Sequence, residues 1–200
     1  RYSEWAQTVQ PRPLQKGEKT RVGFVSGVFS NHSNWKIPVK GWVENLDRAQ
    51  FELHGYHTRP FRDDYTHEAK AAFTEFIQAP LSFDQWCQTI TNHRLHVLIF
   101  PEFGIDPLTV QLGSLRLAPI QAASWGHPDT SGMPTIDYFL SSDLMEPDDA
   151  QDSHRETIIR LPNLSIHYTP LNIKPKAITK SGIGIPEDTT MFWCCQSLFK

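Results

Sequence analysis

Apolar positions along this chain switch repeatedly between two spacings. RVGFVSGVF (21–29), LHVLIF (95–100), IQAASW (120–125), TIDYFLSS (135–142) and ETIIRLP (156–162) are short apolar runs that predict strands. FELHGYH (51–57) sets Phe51, Leu53, Gly55 and His57 against Glu52, His54 and Tyr56, the period of two that a strand produces. Between these runs the spacing lengthens. WKIPVKGWVENL (35–46) places Trp35, Val39, Trp42, Val43 and Leu46 near helical spacing, with Pro38 in the first turn, where a missing amide is tolerated. Segments 65–77, 82–93 and 107–117 predict three more helices; Ser82 is placed to cap the second and Asp84 lies in its first turn. LHVLIF is almost unbroken, which marks a parallel strand buried on both faces.

Strands that alternate with helices of this length require crossover connections, so the pattern predicts an α/β fold with a mainly parallel sheet. Residues 1–20, with Trp5 and PRPLQKGEKT, have no sustained period and read as a connector. The region 21–170 carries the alternation. A Pro- and Lys-bearing passage follows, and TTMFWCC (189–195) predicts a new strand, so residues 171–200 read as a linker and the start of a second α/β lobe. With no initiator methionine and an end at CCQSLFK, the chain is expected to be a piece of a longer protein.

Composition narrows the class. A hydrophobic content of 39% supports a real core, and a net charge of -3 offers no basic field for nucleic acid. Cys194 and Cys195 are neighbours whose side chains diverge, Cys87 stands alone, and no C-x-x-C occurs, so neither a disulfide nor a cysteine zinc site is expected. Thiols used this way fit a reducing compartment. No apolar run reaches the ~20 residues of a membrane helix. A cytoplasmic protein without a membrane partner is expected.

Open parallel sheets bind ligands beyond the carboxyl ends of their strands. The loops to inspect are therefore SGVFSNHS, FPEFGID, GHPDTSG and CCQSLFK. Asn31 and His32 follow the first strand closely, as a turn with a surface histidine or as part of a site. In GHPDTSG, Gly126 removes a side chain where a ligand could approach and Pro128 stiffens the loop. Thr130, Ser131 and the local amides can donate to phosphate or sugar oxygens, although the same residues equally suit a tight turn. His96 is expected as a hydrogen-bonded core histidine, and His54 and His57 as ordinary strand residues. Asp63-Asp64 and Asp148-Asp149 are adjacent pairs that diverge, and no D-x-D occurs, which disfavours a divalent cation on a diphosphate. No metal ligand is assigned. GIGIP (182–186) precedes its strand and lacks a third glycine, so it is no dinucleotide fingerprint. Lys200 follows the last predicted strand, where a cation would face the crevice.

RVGFVSGVFSNHSNW, LRLAPIQAASWGHPDTSGMPTIDYFLSSD and CCQSLFK occur in an order that resembles the protein O-GlcNAc transferase family, most closely its bacterial SPINDLY-type members, over roughly residues 20–200. The resemblance implies a GT-B architecture, with this chain as the amino-terminal Rossmann-like lobe plus the first strand of the carboxyl-terminal lobe. It implies an inverting enzyme without a metal or other cofactor, moving a sugar from a nucleotide-sugar, UDP-GlcNAc in the family's main activity, to Ser or Thr of an acceptor protein. Tetratricopeptide repeats are expected in the same parent chain.

By the same resemblance His32 matches an active-site histidine, a candidate general base. Gly126 and Pro128 match loop residues that approach the donor sugar, and Lys200 matches a lysine on the nucleotide diphosphate. His127, Thr130, Ser131 and Ser197 complete the expected donor-binding set. Three positions depart from the family pattern. Val28 stands for an acidic residue, His127 for a tyrosine, and Ser197, after Gln196, for a glutamine. These leave the donor open among UDP-GlcNAc, GDP-fucose and UDP-glucose. A degenerate transferase domain kept as a protein-binding scaffold is the rival reading; His32, Gly126 and Lys200 standing together favour the enzyme.

Overall fold

The computed structural model describes residue 9, residues 13–167 and residues 172–194. The chain divides into two compact units, residues 1–168 and 169–200. The first holds seven strands: β1 (Thr20–Ser26), β2 (Phe51–His57), β3 (Glu75–Ile77), β4 (Val97–Phe100), β5 (Ile120–Ser124), β6 (Tyr138–Ser142) and β7 (Thr157–Leu161). Every pairing is parallel, in the order β3-β2-β1-β4-β5-β6-β7. This is the expected Rossmann-like α/β sheet.

The first helical segment opens as a π-turn (Trp35–Val39), closed by the Lys40 amide on the Trp35 carbonyl, and continues as α1 (Lys40–Asn45). α2 (Asp64–Ala72) and α3 (Phe83–Asn92) both start on reciprocal caps, Asp63 with Thr66 and Ser82 with Gln85. α4 (Pro107–Gly113) begins on its proline. No helix among the described residues is long and apolar enough to cross a membrane.

Alternation along the strands divides the core between the two faces of the sheet. Val22, Phe24 and Leu53 pack with Trp35, Val43 and Phe73 from the α1 and α2 side. Val25, Tyr56 and Leu98 pack with Trp86, Ile90 and Leu112 from α3 and α4. His96 is buried, and its Nδ1 accepts the Arg21 amide at 3.0 Å, as expected of a core histidine.

Two elements differ from the periodicity. The helix expected over 65–77 stops at Ala72, and Glu75–Ile77 joins the sheet as β3. Phe73 turns extended, the Thr74 amide donates to the Leu53 carbonyl, and the Phe73 and Phe76 rings pack tilted against each other and against Phe29. Their three-residue spacing imitates a helical stripe, while their partners lie across the sheet. The strand expected over 189–195 is not formed across 189–194, and Cys195 lies outside the described residues. In that second unit a short 3-10 turn, Ser181–Ile183, ends at Gly184 with φ +78, and Lys180 Nζ closes it onto the carbonyls of Glu187 and Thr189.

Candidate functional site

The sheet order reverses between β1 and β4. The chain builds outward from β1 to β3, then returns past β1 to lay down β4 to β7. Connections leaving such neighbours diverge and open a crevice at the carboxyl ends of the strands. Three loops meet there: Gly27–Asn34 after β1, Pro101–Asp106 after β4, and Trp125–Gly132 after β5.

Glu102 holds the first two together. It is 1% exposed, and its carboxylate accepts the Gly27 amide at 2.9 Å and the Asn34 side-chain amide at 2.7 Å. Burial pushes this carboxyl up to about 7; bonds from Ser26 and Gly27 pull the other way, and neighbouring Asp106 adds to the rise. Asp106 is itself tied to the end of β2, accepting the Thr58 hydroxyl at 2.5 Å with Arg59 Nε at 3.5 Å.

Gly126 locks the third loop onto the other two. A Cβ at this position would lie 2.2 Å from Asn34 Oδ1 and 2.2 Å from the Pro101 carbonyl oxygen. Only hydrogen fits. The next residue, His127, lays its imidazole over Gly104, whose φ is +108 and whose missing Cβ would sit 3.6 Å from the ring. Pro128 is exposed beyond it.

Thr130 and Ser131 are committed inside the protein. Both hydroxyls donate to Glu156, Thr130 at 2.5 Å, and the Ser131 amide donates to the same carboxylate at 2.8 Å. Thr130 Oγ1 also accepts from the Gly132 amide at 3.1 Å. Burial would raise the Glu156 carboxyl, but the bonds from Ser131 and Thr130 together hold it below its ordinary value. These hydroxyls therefore shape the loop and have no hydrogen left for a donor's oxygens.

His32 is half-buried on the β1 loop, and its Nδ1 accepts the Asn34 amide at 3.1 Å. An imidazole nitrogen that accepts carries a lone pair, so the proton of the neutral ring sits on Nε2. With its Nδ1 engaged in this way, a neutral His32 can donate a hydrogen bond from Nε2. Asn31 turns away, its amide donating to Asp63 at 2.7 Å.

The structure thus brings His32, Gly126 and His127 to one rim, sends the hydroxyls of Thr130 and Ser131 to Glu156, and leaves Pro128 at the surface. Lys200, Ser197 and Gln196 lie outside the described residues. Sequence reasoning missed Glu102, Asn34, Asp106 and Glu156. An acid two residues past an unbroken buried strand was the available signal for Glu102.

The sequence profile described as glycosyl transferase family 41 matches residues 5–167. The chain is 25% identical over 197 residues to the probable UDP-N-acetylglucosamine–peptide N-acetylglucosaminyltransferase SEC of Arabidopsis thaliana, covering 92% of this chain and 19% of that protein. It is 42% identical over 62 residues to the SPINDLY protein of Solanum lycopersicum, covering 30% of this chain and 7% of the relative. A UDP-glucose:protein N-beta-glucosyltransferase of Actinobacillus pleuropneumoniae is 32% identical over 82 residues, covering 41% of this chain and 13% of that enzyme. In three dimensions, a mutant O-GlcNAc transferase of Thermobaculum terrenum matches 85% of this chain and 34% of its own at a TM-score of 0.73 and 20% identity, a likeness of fold. The chain spans a fifth or less of the length of these curated relatives.

Proposed function

Since the chain belongs to glycosyl transferase family 41, we propose that it forms one wall of a GT-B cleft in which a sugar passes from a nucleotide-sugar to a protein hydroxyl. The observation that carries this reading is the convergence of three loops at the sheet's switch point. There Gly126 touches the Asn34 side chain, two residues from His32. UDP-GlcNAc is the proposed donor, because relatives bear the name of UDP-N-acetylglucosamine–peptide transferases.

In this reading the acceptor oxygen of a Ser or Thr attacks the anomeric carbon from the side opposite the nucleotide. The new C–O bond forms as the bond to the diphosphate breaks, and the diphosphate leaves with the electron pair. In this reading the acceptor's proton passes to water, and a neutral His32, whose Nδ1 accepts the Asn34 amide, keeps its own proton on Nε2. His32 donates that N–H to an oxygen of the reacting pair, and Lys200 offsets the charge that develops on the diphosphate. No metal takes part. Rigid placement of both substrates across the cleft supplies the orientation term.

The test uses the full-length protein that carries this segment, incubated with UDP- and GDP-sugars and with candidate acceptor proteins, and read by intact mass. One donor should give a single-sugar mass increment, and Lys200→Ala should cut its rate by about 10²-fold or more. No increment with any donor, together with no nucleotide binding, would replace the transferase by a scaffold.

A further inference from the structure

A second cluster lies away from the rim. Period two along β2 puts Glu52, His54 and Tyr56 on one face of the sheet, the face that α3 covers. In the parallel register of β2 and β3, His54 is paired with Glu75, so their side chains are neighbours on that face. His93, the C-cap of α3, closes over them with its ring centroid 4.9 Å from that of His54.

Each histidine is already oriented by a bond at its other nitrogen. His54 Nε2 meets Glu52 at 2.8 Å, and His93 Nδ1 meets the Tyr56 hydroxyl at 2.6 Å. Nitrogens without those partners, His54 Nδ1 and His93 Nε2, both face Glu75 Oε2, at 3.6 Å and 3.5 Å. Those separations are long for hydrogen bonds. They are close to the edge of about 3.3–3.5 Å that tetrahedral coordination at about 2.0–2.1 Å requires for two of its three protein–protein edges. All three ligand atoms lie within 4.8 Å of one another. His54 is 5% exposed at its side chain, and its Nδ1 is buried without a hydrogen-bond partner. A buried acceptor aimed at a second imidazole and a carboxylate calls for a cation.

We propose that His54, Glu75 and His93 form a divalent transition-metal site, filled by zinc, with water as the fourth ligand. Two imidazoles and one carboxylate are a usual zinc donor set, and Glu52 completes the carboxylate–histidine–metal arrangement that fixes a ligand's tautomer. Glu75 is half exposed, which gives the ion a path in. The site joins β2 to the three-residue edge strand β3 and to the end of α3, so its role is to staple that edge.

The test uses the 200-residue chain without a histidine tag. Metal-free protein is dialysed against zinc buffered by a competing chelator, and bound metal and melting temperature are both measured. The expected result is one zinc per chain, a melting temperature that rises with zinc, and the visible absorption of tetrahedral cobalt on cobalt substitution. Glu75→Gln and His93→Ala, both at partly exposed positions that should fold, should each weaken binding by about tenfold or more. Glu52→Gln should weaken it by about 10-fold without removing a ligand. Less than one equivalent of zinc, or equal affinity in the Glu75 and His93 variants, would overturn the site.

Discussion

Two carboxylates organise the loops that build the site, Glu102 just past the carboxyl end of β4 and Glu156 just before the amino end of β7, and their carboxyls shift in opposite directions. Glu102 and Glu156 are each 1% exposed. Glu102 sits in the inner half beside Asp106, and burial wins: its carboxyl titrates near 7. Glu156 sits in the outer half with two hydroxyls and an amide converging on it, and those donors win, keeping it ionised. Low exposure alone therefore does not set the direction in which an acid shifts. Desolvation, the donors around it and the nearest like charge act together. The inner half is left able to change protonation near neutral pH where it holds the His32 loop, while the outer half is a fixed, charged clasp.

The largest way to break the inner half is Gly126→Ala. The new methyl meets a backbone carbonyl and the Asn34 side chain, neither of which can yield cheaply, so the substitution should cost about 3 kcal/mol or more in thermal unfolding. Glu102→Gln tests the charge directly. Between pH 4.5 and 7 the folded chain keeps a proton that the unfolded chain releases, so wild-type stability should fall as pH rises through that window, by at most about 3 kcal/mol. The Gln variant should lack that fall; an unchanged slope would refute the assignment.

Glu156→Gln should behave oppositely. The wild-type carboxylate stabilises above its ordinary value of 4.5 and loses that contribution as pH falls through its lower folded value. The variant should be about 2 kcal/mol less stable at pH 7, with the gap closing in acid. The smallest effect is expected at Gly104→Ala, about 1 kcal/mol from placing a side chain at φ +108, with His127 loosened but the Glu102 bonds intact.

Much of this fold was legible because local chemistry agreed with the tertiary structure. Ser82 caps α3, LHVLIF is a central buried strand, and Gly126 marks a close approach. What escaped depends on contacts distant in sequence. Thr130 and Ser131 look like free donors until Glu156, 25 or more residues on, takes their hydrogens. Glu102 in FPEFGID looks like a surface acid until the β1 loop folds over it. His54 reads as an ordinary strand residue because only the register of β2 with β3 sets Glu75 beside it. β3 itself was hidden by aromatics whose spacing suits a helix.

The measurement that tests the central claim most directly compares His32→Ala with His32→Gln in the full-length protein, by kcat/KM for sugar transfer. The Gln side chain keeps an N–H donor near the position of Nε2 but cannot act as a base at neutral pH. If His32 works as the donor that the Asn34 amide enforces, Ala should lose about 10²-fold or more and Gln should restore a large part of it. Equal losses in both variants, or full activity in Ala, would contradict the account.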